Sequence, residues 1–195
     1  MIKNIYKKRG FSLIETLIAI TILMIAITGP LALVQAGLFS ANHERNEVTA
    51  IYLAQEAMEY VKNLRDSNSY VLNSGISGDW LASPDGTLLT TICGSVTSGC
   101  YVDPHKTLFA GTSFIQPVSS GRELLQLTTV GGVQEYDYST SGAPTSFERI
   151  VTVDLVPSSV SPDEAAVSVT VNWNDNNISR TYTINENIYD YEHVQ

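Results

Sequence analysis

Lys7-Lys8-Arg9-Gly10-Phe11-Ser12-Leu13-Ile14-Glu15-Thr16-Leu17-Ile18-Ala19-Ile20-Thr21-Ile22-Leu23 is the stretch from which the rest of the chain can be read. Three consecutive bases stop at a glycine, and an apolar run follows at once with one carboxylate near its start. From Leu17 to Phe39 there are 23 consecutive residues without a charge, most of them Ile, Leu, Ala, Val or Met. A bilayer core takes about 20 such residues as a helix. The rest of a 195-residue chain is too small to wrap a helix of that length as a buried core. The span is placed from Leu13 to Val34.

Charge sets its orientation. Four of the 11 basic residues, Lys3, Lys7, Lys8 and Arg9, precede the apolar run. Excess Lys and Arg beside a span keeps that end in the cytoplasm, so the C-terminal portion is expected to face outward. The first ten residues carry four bases and no acid, so their loss would take the formal charge from −9 to −13. An outer portion this acidic is a poor match for nucleic acid, where affinity comes from Lys and Arg on phosphates. Cys93 and Cys100 both lie beyond the span. In an oxidising compartment a disulfide between them persists, and closing a loop of about eight residues contributes roughly 2.5 kcal/mol. Two free thiols are the other reading.

A secretory signal peptide has a short apolar stretch followed by small residues at its cleavage site. Here the stretch is long enough to remain in the membrane, and no Ala-x-Ala pattern follows it. The basic leader, the Gly10-Phe11 junction, the acidic fifth residue after that junction and the uncharged span together resemble the processing site of type IV prepilins and type II secretion pseudopilins. The resemblance implies cleavage after Gly10 by a prepilin peptidase and N-methylation of Phe11, with the helix retained as the packing element of a filament. It implies as partners other pilins or pseudopilins, membrane lipid before assembly, and an inner-membrane assembly platform driven by a cytoplasmic ATPase. The strong part covers residues 1–66. Within it, Ala54 to Asp66 is also similar to the corresponding helix of pilus-modification-type minor pilins.

Glu15 has a physical reading beside this resemblance. A carboxylate at the centre of a membrane helix costs roughly 2.5–3.5 kcal/mol on insertion scales, and less near an end. After cleavage the free amine of Phe11 would stand four residues away, at i and i+4. The same amine on an axially shifted neighbour is a second partner, and it is the pairing the resemblance implies for subunit register. Reaching the headgroup region is the third possibility. Gly29-Pro30 interrupts the run. Proline deletes one helical hydrogen bond and clashes with the preceding turn, which predicts a kink near Ala26 to Pro30.

Beyond Ser40 the pattern turns amphipathic. Val48, Ile51, Ala54, Met58, Val61 and Leu64 recur at helical spacing, with Glu44, Glu47, Glu56, Glu59 and Lys62 between them. Asp66, Ser67 and Asn68 are read as the stop. Helix from Ser12 to Asp66 would be roughly 80 Å long at about 1.5 Å per residue. Residues 67–121 are rich in glycine and serine, and a structureless loop of that length is unusual. Strands are expected at 87–93 and 100–103, forming a disulfide-clamped hairpin, and Trp80 is expected to pack on the helix. Val167, Val169, Val171 and Trp173 alternate with polar residues, the period of a half-buried strand. Asp175-Asn176-Asn177 reads as a turn, with Ile178, Tyr182 and Ile184 on the returning strand. Further strands are expected at 147–156 and 124–130. The expected fold is α+β: a long N-terminal helix packed on an antiparallel sheet of about four strands. Its organisation is a leader at 1–10, a transmembrane and filament-core helix at 11–40, and the amphipathic half of that helix at 41–66. A loop region with the disulfide follows at 67–121, and the sheet at 122–195.

Catalytic spacings are absent from the sequence: it contains no Gly-x-Ser-x-Gly, His-Glu-x-x-His, phosphate-binding loop or Cys-x-x-Cys. His43, His105 and His193 are far apart. Calcium needs several clustered oxygen ligands. Asp175-Asn176-Asn177 and Ser161-Pro162-Asp163-Glu164 come nearest, and turn formation explains both, so no metal or cofactor is expected. Asn177-Ile178-Ser179 matches the glycosylation triplet, which is short and common. The sequence therefore reads as a minor pilin or pseudopilin, a structural subunit rather than an enzyme. It would be anchored by one pass with its N-terminus in the cytoplasm and its head outside, then built into a pilus-like filament. A membrane-anchored adhesin outside any filament is the alternative.

Overall fold

A computed structural model of the chain describes residues 10–75, 78–104, 115–118, 123–157 and 163–190. The chain divides into two compact units, Met1–Arg45 and Asn46–Gln195. Helix α1, Leu13–Asn73, contributes to both. After it come α2, Leu89–Ile92, and eight strands: β1 Cys100–Val102, β2 Ile115–Pro117, β3 Gln126–Val130, β4 Val133–Asp137, β5 Ala143–Pro144, β6 Glu148–Leu155, β7 Glu164–Asp175 and β8 Ile178–Tyr189. They form an antiparallel sheet in the order β2-β1-β6-β7-β8 and a second in the order β4-β3-β5. The α+β class holds, with eight strands in two sheets among the described residues where about four in one were expected.

In the second unit α1 buries Ala50, Leu53, Ala54, Ala57, Met58 and Val61. Their spacing of three and four residues keeps them on one helix face. This corrects the expected stripe by about one position: Val48 is 48% exposed, and Leu64 is only partly buried. The helix also runs past Asp66. Asn68 does not stop it, because its side-chain amide donates to the carbonyls of Trp80 at 3.1 Å and Ala82 at 2.7 Å. A residue that elsewhere competes for its own backbone is here occupied by the following loop. Trp80 joins the core, as its placement on the helix required.

The sheet side of that core comes from β6 and β7. Val151, Val153, Ala165, Val167, Val169, Val171 and Trp173 are all buried. Strands β7 and β8 pair along their whole length, from Glu164 opposite Tyr189 to Asp175 opposite Ile178. The connection is Asn176-Asn177, with φ of 49° and 66°, the left-handed pair that a two-residue hairpin turn demands and asparagine tolerates.

The expected hairpin over 87–103 does not form. Leu89–Ile92 is a short helix and Ser95–Thr97 a 3-10 turn. Both edges of β1 are already taken, by β2 and by β6, which leaves 87–93 no strand to join there. Cys93 and Cys100 form a disulfide that ties the end of α2 to the start of β1. The loop between them is held from several sides. Asp154 accepts from the Ser95 N–H at 2.9 Å and from its hydroxyl at 3.1 Å. A Cβ on Gly99 would approach Ile150 Cγ2 and the Val151 carbonyl to 2.7 Å, and its φ is +87°, so glycine is required there on two counts.

One buried charge organises the centre. Arg149, on β6, is fully buried. Its Nη1 donates to the Leu53 carbonyl at 3.1 Å and to Glu56 Oε2 at 2.5 Å, and its Nη2 donates to the Val102 carbonyl at 2.8 Å. Helix, β1 and β6 thus meet on one guanidinium, whose burial is tolerable only because it is paired and hydrogen-bonded. Tyr138 donates to the Arg149 carbonyl at 3.0 Å, and burial pushes its hydroxyl well above the usual phenol range.

Candidate processing and assembly segment

Gly10, Phe11 and Ser12 precede α1, and Phe11 is 79% exposed. The Ser12 carbonyl accepts the Thr16 N–H at 3.2 Å, which sets Ser12 at the helix boundary. Glu15 falls in the first turn. A carboxylate there meets the unpaired N–H groups and partial positive charge of a helix N-terminus. Ser12-Leu13-Ile14-Glu15 also has the Ser-x-x-Glu spacing of a capping box. Phe11 and Glu15 are four residues apart, but Phe11 stands ahead of the helix, so helical geometry does not hold the two together. In the uncut chain the Phe11 nitrogen is a peptide amide, and any charge pair with Glu15 has to wait for cleavage.

Nothing in the fold asks for glycine at position 10. A Cβ placed there would meet no atom within 4 Å, and its φ is not left-handed. The same space surrounds Gly29 and Gly37. Every residue from 10 to 42 is exposed, including Leu13, Ile14, Leu17, Ile25 and Leu33. The helix is long and apolar enough to cross a membrane, and none of its most apolar window is buried.

Three threonine hydroxyls inside this segment are satisfied locally. Thr16, Thr21 and Thr28 donate their hydroxyls to the carbonyls of Leu13, Ile18 and Ile25 at 2.8, 2.8 and 3.1 Å. Such back-bonding lets a hydroxyl enter an apolar medium without an unmet donor. Pro30 lies inside α1, which is assigned as helix without interruption from Leu13 to Asn73; its ring leaves the Ala26 carbonyl without the usual N–H.

Among the described residues no group of three or more His, Cys, Asp or Glu side chains is placed to hold a metal ion. Ser161 and Pro162, half of one calcium candidate, lie outside the described residues, as do His105 and His193.

Residues 5–29 match the model of the prokaryotic N-terminal methylation motif, the prepilin-processing signature of type IV pilins and pseudopilins. Comparison of the chain with curated proteins and with solved structures finds no match to either. The motif and the apolar helix together fit a single-pass membrane anchor.

Proposed function

We propose that this chain is a minor pilin or pseudopilin, made as a precursor, cut between Gly10 and Phe11, N-methylated on Phe11 and built into an extracytoplasmic type IV pilus-like filament. The observation that carries this reading is the methylation motif matched over residues 5–29, which runs into a helix whose residues from 13 to 42 are all exposed. An apolar surface of that extent has a partner outside the chain. Lipid would fill that role before assembly, and the helices of other pilins or pseudopilins afterwards. Gly10 is compatible with the cleavage site, since no contact in the fold requires glycine there. The basic leader keeps the N-terminus in the cytoplasm and the head outside, where the Cys93–Cys100 bridge is stable. Export and polymerisation would draw on an assembly platform with a cytoplasmic ATPase, because the sequence carries no nucleotide-binding loop of its own.

Mass spectrometry of the membrane-extracted protein tests the reading. The expected N-terminus is N-methylated Phe11. Gly10→Leu should leave a precursor ten residues longer in the inner membrane, since a β-carbon and branched chain replace the small residue at the cut. Normal maturation of that variant would remove the assigned site. An unmethylated N-terminus at Met1 in the unaltered protein would favour an anchored surface binder instead.

A further inference from the structure

The tip of the β7–β8 hairpin carries a second covalent site, and we propose that Asn177 is an acceptor for N-linked oligosaccharide. Of the twelve asparagines in the chain, only Asn177 heads an Asn-x-Ser/Thr triplet, Asn177-Ile178-Ser179. Asp175 stands two residues ahead of it. Acidic residues number 20 of 195, so the five-residue pattern is much less frequent by chance than the bare triplet.

The fold puts this pattern where a transferase can reach it. Residues 176–181 are all exposed, so the end of the hairpin stands clear of the core. Among the described residues the side-chain amide of Asn177 carries no hydrogen bond, and its nitrogen is open to solvent. Ser179 donates to Asn174 Oδ1 at 2.9 Å, an exposed contact easily exchanged for one to an enzyme. Asn177 sits at φ 66° in a two-residue turn, the point farthest along the ladder from the buried Ile188 end. Exposed turns with few buried contacts belong to the low-stability end of local opening. Transfer to this asparagine needs only the last pairs to open. A glycan attached there extends into solvent, a surface position suited to so bulky a group.

The chemistry balances with a donor of one class, an oligosaccharide on a lipid diphosphate. Asn177 Nδ2 forms a bond to the anomeric carbon while the bond from that carbon to the phosphate oxygen breaks. The electron pair leaves with the lipid diphosphate, and the amide proton passes to a base on the transferase. The triplet is an acceptor in exported protein, so the inference rests on the head being exported as proposed above.

Intact-mass and peptide mass spectrometry of the full chain from its native membrane tests it. The peptide containing Asn177 is expected to carry additional hexose or hexosamine mass in chains whose N-terminus is N-methylated Phe11. Ser179→Ala should abolish that mass, and Ser179→Thr should retain it. Asn177→Gln should abolish it too, though glutamine is strained at a left-handed turn position, which is why the Ser179 pair carries the test. Chains with methylated Phe11 and a bare Asn177 peptide would overturn the proposal while leaving the filament reading intact. Glycan mass lost in Ser179→Thr as well would also overturn it. An unprocessed N-terminus with a bare Asn177 would overturn both.

Discussion

The two halves of α1 put similar side chains to opposite uses. Between residues 13 and 39 its leucines and isoleucines are all exposed, and Gly29 and Gly37 have open space around them. Between Ala50 and Val61 its apolar face is closed against β6 and β7, with Ala50, Ala54 and Ala57 fully buried. Charge content separates these segments, and it follows the location of the partner. Where the chain supplies its own partner, packing selects small residues at defined spacing and leaves polar ones outside. Where it does not, apolar residues run all round the helix, which is the pattern of a helix with an apolar environment on every side. Constraints on the first half therefore come from outside the molecule, and constraints on the second from within. Substitutions in the two halves should fail in different ways.

The sharpest test of the inner half is Glu56→Ala. Arg149 is fully buried and Glu56 is its only carboxylate partner in the contacts described, with a side chain about one-third exposed. Removing one partner of a buried pair costs about 3–5 kcal/mol where the charge is left uncompensated. Backbone carbonyls of Leu53 and Val102 still bond Arg149, and water can reach the vacated position, so about 3 kcal/mol is expected. Urea unfolding of detergent-solubilised protein would measure it. Maturation at Gly10 should be unaffected wherever the variant still folds. A loss of processing without loss of stability would break the separation between the halves.

A smaller effect is expected from the disulfide. Cys93→Ala with Cys100→Ala should lower stability by roughly 2.5 kcal/mol from loop closure over about eight residues. Asp154, Gly99 and the 3-10 turn hold the loop in either state, so the double variant should keep the native fold. Both cysteines are fully buried, and slow labelling of native protein would therefore not distinguish bridge from thiols. Alkylation in denaturant with and without prior reduction does: two added groups only after reduction is the expected result. Labelling without reduction would mean free thiols and an environment other than the one proposed for the head.

The same contrast explains what could be read from the sequence. The processing segment is legible because its signal is contiguous: bases, Gly10, Phe11, Glu15 and the span follow in order. Strand β7 is legible because Val167, Val169, Val171 and Trp173 alternate within one stretch, and its turn because Asn176-Asn177 suits left-handed backbone. What was misread depends on partners distant in sequence. The helix outlasts Asp66 because Asn68 bonds to Trp80 and Ala82. Residues 87–93 are not a strand because β2 and β6 already flank β1. Arg149 gives no local sign that it is buried, since its partners are on a helix 93 and 96 residues earlier and on a strand 47 residues earlier. The β3–β4 hairpin has a local signal: Gly131-Gly132, with φ of 60° and 86°, between Val130 and Val133, is a two-residue turn.

The smallest effect on folding belongs to Glu15→Ala, and this is the variant that most directly tests the outer half. Glu15 is exposed in the first turn of α1, in the unit separate from the one that holds the core. The head's stability should be unchanged. Insertion should be unaffected or slightly favoured, because an acidic group leaves the apolar segment. Loss of the favourable position at the helix N-terminus amounts to about 0.3–1 kcal/mol of local helix stability, too little to unfold a segment held in lipid. If Glu15 pairs with the Phe11 amine of a neighbour, the variant should be cut, methylated and membrane-resident, yet reduced in sheared filaments or in pull-downs with partner pilins. Glu15→Asp sharpens the test: it preserves charge and N-terminal position but shortens the reach, so partial incorporation is expected for pairing and full incorporation for a purely local cap. Normal incorporation of Glu15→Ala would assign Glu15 to the helix terminus alone. Degradation of the whole protein would show that the outer half feeds back on folding, and the division between the two halves of α1 would not stand.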